Sequence, residues 1–288
     1  MPLLKTIALR LLLFVAVLAS LNYIYSKLFF DTYLEDNSDI FRKIQSIPKA
    51  SKVLYIGESS NITYRANDVD KRSISALLAD YYPDLQVADI TQPGAHAGTY
   101  LGILQAIPEN KEIETIVLTL NYRSFGAEWI YSELENALIK KIVLLKNQPA
   151  LYKRFNLSIK AFEAHNLHQR DSLIKDSWLR NFTDSSLSYK NADQWNKDKR
   201  QKGILDSVNN FDYDKTALAC SFIKSFAFEI EPDNPRVKDF DAIVALCKKR
   251  NWHLLLNLMP EDLELANNLV GSELVSLMNK NRNLLVKR

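Results

Sequence analysis

Three short apolar runs, separated by stretches with helical spacing, constrain the fold of this chain most strongly. The runs cover residues 52–57, 85–91 and 114–121, and each is rich in valine, isoleucine or leucine. The stretches between them, at 73–82 and 99–107, place apolar residues at helical intervals. A strand–helix–strand–helix–strand order predicts a parallel sheet with right-handed crossovers.

The rest of the chain adds a fourth strand and a long insertion. Helical spacing over 237–250 leads into an apolar run at 252–258, which predicts strand four, and helical spacing resumes over 263–285. Residues 126–235 show weak periodicity with many aromatic and basic side chains. They are typical of a solvated helical insertion, and the alternative is a cap that binds an anionic or carbohydrate substrate. We therefore predict an α/β fold, a three-layer α/β/α sandwich with a parallel, flavodoxin-like sheet and a helical insertion between strands three and four.

The N-terminus is apolar over the length of a membrane span. Lys5 and Arg10 precede an apolar run at 11–25, and Lys27 follows it. Residues 6–30 are about long enough to cross a bilayer. A cleaved signal peptide opens in the same way, but no clean small-residue cleavage site follows the run, so we favour an uncleaved anchor.

These features divide the chain into three predicted segments. Residues 1–30 form a membrane anchor, 31–50 a stalk or linker, and 51–288 the main domain. The basic residues before the apolar run favour a cytoplasmic N-terminus. The main domain is therefore expected outside the cytoplasm, in the periplasm or an equivalent compartment.

Charge and cysteine content exclude several classes of protein. A net charge of +3 and a pI near 8.6 are too mild for a nucleic-acid binder. Cys220 and Cys247 are too few for a disulfide scaffold or a cysteine-built zinc site, and they are either a single disulfide or buried thiols. His165 and His168 have the i, i+3 spacing of a metal-binding pair, although surface histidines explain them better. We expect no metal and no cofactor.

Polar residues and glycines follow each of the first three predicted strands. Ser59 follows strand one, Gly94 and Gly98 follow strand two, and Asn121 ends strand three. The carboxyl ends of parallel strands meet at one edge of the sheet. A serine, a backbone N–H at a glycine and a carboxamide are what acyl transfer needs, because a nucleophile attacks a carbonyl while fixed donors hold the oxyanion. The alternative is a plain strand–helix turn in which Ser59 or Ser60 caps a helix.

With these residues the chain resembles the SGNH family of GDSL-type esterases and acyltransferases. The resemblance covers roughly 50–130, with a continuation at 237–285. It implies that Ser59 is the nucleophile, and that its backbone N–H, the N–H of Gly98 or alternatively Gly94, and the Asn121 amide form the oxyanion hole. Glu58 stands where the family usually has aspartate, and Tyr122 where many members have aspartate.

The chain departs from the family pattern at its C-terminal end. The family carries its base in a D-x-x-H block after a fifth strand, and no histidine follows His253 here. Residues 284–286 resemble the start of such a strand, which suggests a missing C-terminal block. His96, on the loop after strand two, is a candidate base, but a loop histidine without a catalytic part is the simpler interpretation. We expect His253 to pack in a buried strand.

The sequence therefore predicts an extracytoplasmic SGNH-like serine esterase or O-acyltransferase that acts on small acyl esters, with esters of cell-envelope glycans as the expected substrates. Because a serine without a base is a poor nucleophile, we expect very low esterase activity from this chain. The alternative is a non-catalytic accessory or binding subunit of a membrane acyltransferase system.

Overall fold

Four parallel strands form the centre of the computed structural model, which describes residues 2–146, 148–159, 164 and 166–287. The strands are β1 (Val53–Gly57), β2 (Ala88–Thr91), β3 (Thr115–Leu120) and β4 (His253–Leu258). Their order across the sheet is β2–β1–β3–β4. The register places Ile56 between Ile90 of β2 and Leu118 of β3. The predictions of a mixed α/β fold and a parallel sheet are confirmed.

Fourteen helices among the described residues surround or extend this sheet. They are α1 (Pro2–Leu28), α2 (Phe30–Asn37), α3 (Asp39–Ser46), α4 (Ile74–Tyr81), α5 (Ala97–Ala106), α6 (Ala127–Ile130), α7 (Glu133–Leu145), α8 (Ala150–Ile159), α9 (Leu167–Leu179), α10 (Ala192–Lys202), α11 (Tyr213–Phe226), α12 (Pro235–Arg250), α13 (Leu263–Leu269) and α14 (Ser272–Val286). Short 3-10 turns lie at Ser59–Asn61, Pro83–Leu85 and Tyr122–Phe125.

Local chemistry explains where these elements begin and end. Ser73 caps α4 by accepting a hydrogen bond from the backbone N–H of Ala76. Strand β2 starts later than its apolar run, because Pro83 opens a 3-10 turn and Gln86 adopts a left-handed conformation with φ 45°. Gly271, at φ 125°, separates α13 from α14 in a conformation that glycine adopts easily.

The segment predicted as a stalk packs against the main domain. Residues 31–50 contain most of α2 and all of α3, and Ile40, Ile44 and Ile47 lie in the main hydrophobic core with 0–3% exposure. A helix of only eight residues that buries one apolar face gains its stability from such packing. The domain therefore begins close to the end of α1 rather than at residue 51.

The insertion has a core of its own. Trp195 and Ile223 from the insertion pack with Leu274 and Met278 of α14 and with Tyr122 after β3. This arrangement differs from the expected solvated insertion, because the weak sequence periodicity hides apolar contacts made with the C-terminal helices. The insertion and the C-terminal helices thus form one packed unit beside the carboxyl ends of β3 and β4.

Strand β4 is at the edge of the sheet and is not buried as predicted. Leu255 and Leu256 are 57% and 43% exposed, and His253 is also exposed. The prediction that His253 packs in a buried strand is therefore wrong: among the described residues, β4 pairs only with β3.

Helix α1 is long and apolar enough to cross a membrane. The qualifying segment runs over Leu3–Leu28, 26 residues, and lies near the N-terminus. Its length and composition agree with the predicted anchor and with the alternative of a signal sequence.

Candidate active site at the end of the central strands

The order in which the chain adds strands to the sheet reverses between β1 and β3. The chain passes from β1 to β2 on one side, and then crosses to β3 on the other side of β1. Ligands of open parallel sheets bind at such a point, outside the carboxyl ends of the strands. Ser59 follows β1 here and Asn121 follows β3, so the strand order brings these two predicted site residues to neighbouring strand ends.

Ser59 lies in a one-turn 3-10 helix and contacts a carboxylate. Its Oγ donates a hydrogen bond to Oε2 of Glu58 at 3.1 Å. Glu58 is only 6% exposed, whereas Ser59 is partly accessible. Neither Ser59 nor Ser60 caps an α-helix, since α4 begins later and takes Ser73 as its cap. The structure therefore leaves the Ser59 hydroxyl in contact with a buried acid.

Asn61 holds the turn that carries Ser59. Its Nδ2 donates to Ser75 Oγ at 3.0 Å and to Thr91 Oγ1 at 2.6 Å, and its Oδ1 accepts from the Ser75 backbone N–H at 2.9 Å. Asn61 is 2% exposed. These bonds join the turn to α4 and β2, so the position of Ser59 is set by buried contacts.

Asn121 presents an amide group after β3. Its Oδ1 accepts hydrogen bonds from the backbone N–H of Arg123 at 3.2 Å and from the Arg123 Nε at 3.4 Å. These contacts fix the side chain as the cap of the turn that follows. Its Nδ2 has no hydrogen-bond acceptor within the described part of the chain and remains able to donate to a ligand.

Three buried polar atoms near Ser59 have no hydrogen-bond partner among the described residues. They are Glu58 Oε1, Ser60 Oγ and the hydroxyl of Tyr100. Burial, together with the neighbouring Glu58 carboxylate, raises the pKa of Tyr100 well above its ordinary value. Unsatisfied buried polar atoms are rare in folded proteins and are frequent where a ligand or water binds. Their concentration beside the predicted nucleophile supports a binding site here.

Glu261 is a member of this site that the strand-end reasoning missed. It follows β4, and the ladder between β3 and β4 continues past Leu258 through a bond from Met259 N–H to Leu120 O at 3.0 Å. Burial is the main cause that raises the pKa of Glu261; Arg123 opposes the shift and Glu58 adds to it. Glu261 also lines a cavity of about 280 Å³ with Tyr122 and others. The sequence did contain a signal for Glu261, because an acidic residue three positions after a predicted strand lies near the carboxyl end of that strand.

The loop after β2 forms a tight turn, and its glycines have different environments. Gly94 has φ +73°, and the Ala95 N–H donates to Gln92 O at 3.0 Å, which is a type II turn with proline first. The Gly98 N–H, predicted to face the oxyanion, donates instead to His96 Nδ1 at 3.1 Å. A Cβ at Gly98 would lie 2.6 Å from Asp239 Oδ2, so any larger residue here would have to displace that carboxylate of α12.

His96 caps α5 and lies in a buried charged cluster. Its Nδ1 accepts from Gly98, which assigns the proton to Nε2, and Nε2 donates to Glu135 Oε2 at 2.8 Å. Arg236 lies 2.7 Å from the same oxygen. Burial is the main cause that lowers the pKa of His96, and Arg236 acts in the same direction. Both ring nitrogens are therefore engaged within this cluster, and neither contacts Ser59.

We expect this cluster to make the protein less stable as the pH falls below about 6.5. His96 has a lowered pKa in the folded state, so the unfolded chain binds an extra proton below the ordinary histidine pKa. Its stabilising contribution is complete above that value and is lost as the pH falls toward the folded pKa. Chemical denaturation between pH 5 and 8 measures how the free energy of unfolding changes with pH. This dependence should become weaker in His96→Asn but not in His168→Asn, which changes an exposed residue. An equal slope in the wild type and His96→Asn would contradict the assignment.

The described residues contain no group of three or more His, Cys, Asp or Glu side chains that could hold a metal ion. His168 is exposed, and His165 lies outside the described residues. Cys220 and Cys247 are both buried free thiols.

Comparisons with known proteins give no relative for this arrangement. No family model matches the chain, and neither the curated proteins nor the solved structures contain a significant match.

Proposed function

We propose that this chain is a serine esterase or O-acyltransferase whose nucleophile is Ser59. The observation that carries the proposal is the 3.1 Å hydrogen bond from Ser59 Oγ to the buried Glu58 carboxylate at the turning point of a parallel sheet. A nucleophile within hydrogen-bond reach of a base is the arrangement that covalent catalysis requires. The unpartnered buried polar atoms around it are groups that a ligand or a water molecule would satisfy.

The proposed reaction uses Glu58 as the base. As Ser59 Oγ attacks the acyl carbon, its proton passes to the Glu58 carboxylate, and the carbonyl π electrons move to the oxygen. When the intermediate collapses, the ester C–O bond breaks and the leaving oxygen takes the proton back from Glu58. Water, or an acceptor hydroxyl, then attacks the acyl-serine by the same steps and regenerates Ser59.

The oxyanion donors proposed here are the Asn121 amide and the backbone N–H of Ser59, with Gly94 as a third. Gly98 is left out because its N–H already donates to His96. Fixed donors of this kind account for a large share of catalysis in acyl transfer. The carboxylate base distinguishes the site from the histidine base of the SGNH family, and a carboxylate is a weaker base than imidazole. Slow turnover is the expected consequence.

The proposal also covers location and fold. The protein is anchored in a membrane by α1, its main domain lies outside the cytoplasm, and that domain is a three-layer sandwich of the SGNH type. The apolar α1 and the basic residues before it support the location. The strand order supports a sheet of that type, and α3, α5 and α12, which share one core with the strands, would form one of its two helical layers. Small acyl esters of cell-envelope glycans are the proposed substrates, because an anchored extracytoplasmic enzyme meets them first.

Covalent labelling tests the proposal directly. The full chain, in detergent, is treated with a fluorophosphonate probe and the modified residue is identified by mass spectrometry. We expect the label on Ser59, and none in Ser59→Ala, whereas Ser46→Ala, an exposed serine on α3, should label normally. Labelling at another residue would remove Ser59 from the proposal.

A second candidate is a non-catalytic accessory subunit of a membrane acyltransferase, with the same site binding an acyl ester. The observation in its favour is that no histidine among the described residues contacts Ser59. Absence of any label, with retained binding of a slowly hydrolysed ester analogue, would favour this role.

A further inference from the structure

Helix α8 is joined directly to the end of α1. The first N–H groups of a helix have no partner within it. In α8 the Ala150 N–H donates to Ser26 Oγ at 2.8 Å, and the Leu151 N–H donates to Asn22 Oδ1 at 2.8 Å. Asn22 and Ser26 are one turn apart on α1, near its C-terminal end. The helix is therefore held at the level where a membrane-spanning α1 would leave the bilayer.

The outer face of α8 is apolar and exposed. Leu151, Tyr152, Phe155 and Ile159 have exposed fractions of 47%, 52%, 51% and 56%. At 3.6 residues per turn these four side chains fall within roughly 100° of arc. The opposite side of α8 is buried through Ala150 and Lys153. A narrow apolar face beside basic residues is typical of a helix that lies in a membrane interface.

A cavity with three lysines lies beside the junction of α1 and α8. It has a volume of about 410 Å³, and Lys27, Lys146 and Lys153 line it, with Asp31 as the acid among the described lining residues. Lys27 and Lys146 are exposed, and Lys153 is 3% exposed. The excess of positive charge favours an anion, and three lysines can surround a phosphate group.

Two side chains of this cavity are incompletely satisfied. The Lys153 ammonium donates to Leu144 O at 2.9 Å and lies 4.0 Å from the ring centre of Phe30, and burial lowers the pKa of Lys153 to about 8. The Gln148 Oε1 is buried and has no partner among the described residues. A nearby anion would stabilise the charged Lys153, and a hydroxyl or ammonium donor beside that anion would satisfy Gln148.

We infer that α8 rests on the bilayer surface beside α1, and that the cavity beside their junction holds the headgroup of an anionic phospholipid. The inference rests on the proposed anchoring by α1, but it is independent of the chemistry at Ser59. Its consequence is a domain held against the membrane by two contacts. Helices α2 and α3 are packed against the domain rather than forming a free stalk, which agrees with a domain held close to the membrane.

Fluorescence in lipid nanodiscs tests the α8 contact with the full chain. An environment-sensitive fluorophore is attached at Phe155→Cys, and a matched label at Val208→Cys, 70% exposed in the loop between α10 and α11, is the control. The native chain is the labelling blank, because its two cysteines are buried. We expect a blue shift and strong quenching by spin-labelled lipid at position 155, and neither effect at position 208.

The lipid preference is measured with the same label at position 155. Spin-labelled phosphatidylglycerol should quench more than spin-labelled phosphatidylcholine at equal content. The difference should disappear in Lys27→Gln/Lys146→Gln and remain in Lys175→Gln/Lys190→Gln, a pair of exposed lysines with the same change in charge. Equal quenching by the two lipids in the unmodified cavity would overturn the headgroup assignment.

Resistance to carbonate extraction distinguishes a failure of the α8 contact from a failure of the α1 anchor. A chain that stays in the membrane with an unquenched label at position 155 would overturn the α8 contact and leave the anchor in place. A chain that carbonate extracts would overturn the anchor, and the inference with it. The reaction of Ser59 with fluorophosphonate reports on the proposed function separately from both results.

Discussion

Replacing Glu58 by glutamine is expected to slow ester hydrolysis by about 10²- to 10⁴-fold, the usual contribution of a general base. Glutamine preserves the shape of the side chain but cannot accept the Ser59 proton as a carboxylate does. The Ser59–Glu58 contact at 3.1 Å is the basis of this expectation. The measurement is hydrolysis of p-nitrophenyl acetate by the purified full chain, compared between the wild type and Glu58→Gln.

Three further variants make the result specific to Glu58. Ser59→Ala sets the background rate, and Glu114→Gln, at a surface side chain that is 64% exposed, should hydrolyse at the wild-type rate. Glu261→Gln tests the half-buried acid that follows β4. If Glu58→Gln keeps the wild-type rate while Ser59→Ala loses it, the base is another group. Equal rates in the wild type, Ser59→Ala and Glu58→Gln would favour the binding role.

Replacing Arg236 by methionine is expected to lower the free energy of unfolding by about 3–5 kcal/mol, the range for removing one partner of a buried ion pair. Arg236 Nη2 lies 2.7 Å from Glu135 Oε2, and the two side chains are only 6% and 13% exposed. Without the guanidinium, Glu135 keeps its bond from His96 but loses a neighbouring positive charge in a poorly solvated site. Urea denaturation of the full chain in detergent measures the change.

The chain contains a matched control for this variant. Arg180 and Glu231 are also 2.7 Å apart, but their side chains are 62% and 35% exposed. Arg180→Met should therefore cost less than about 1 kcal/mol, because water screens an exposed pair. A similar decrease in the free energy of unfolding in both variants would mean that burial does not increase the contribution of the Arg236–Glu135 pair to stability. That result would contradict its proposed structural role.

The strand ends show how far sequence reasoning reaches into the site. Ser59 and Asn121 follow apolar runs that could form only short strands, so their placement after β1 and β3 follows from local pattern. The parallel order then brings strand ends to one edge of the sheet. Glu58 is adjacent to Ser59 in the chain, yet the contact between its carboxylate and the Ser59 hydroxyl depends on the side-chain geometry of the turn.

The environment of His96 could not be predicted in the same way. Its partners Glu135 and Arg236 come from α7 and α12, far away in the chain. Helical periodicity reports which face of each helix is apolar, but it carries no information about which polar residues meet across three helices. The same limit explains why 31–50 resembled a stalk: α3 is short, and Ile40 and Ile44 of α3, with Ile47 directly after it, have partners only when the core is assembled.

The sequence by itself determined the positions of the strands and of the helices α4, α5, α12, α13 and α14, the apolar N-terminal segment, and the serine and asparagine at the strand ends. These features depend on residues close together in the chain, through periodicity, turns and caps. Tertiary structure alone decided the exposure of β4, the second core of the insertion, the capping role of His96 and the attachment of α8 to α1. Each of these depends on which distant surfaces meet, and that choice is set by the packing of the whole chain rather than by any local pattern.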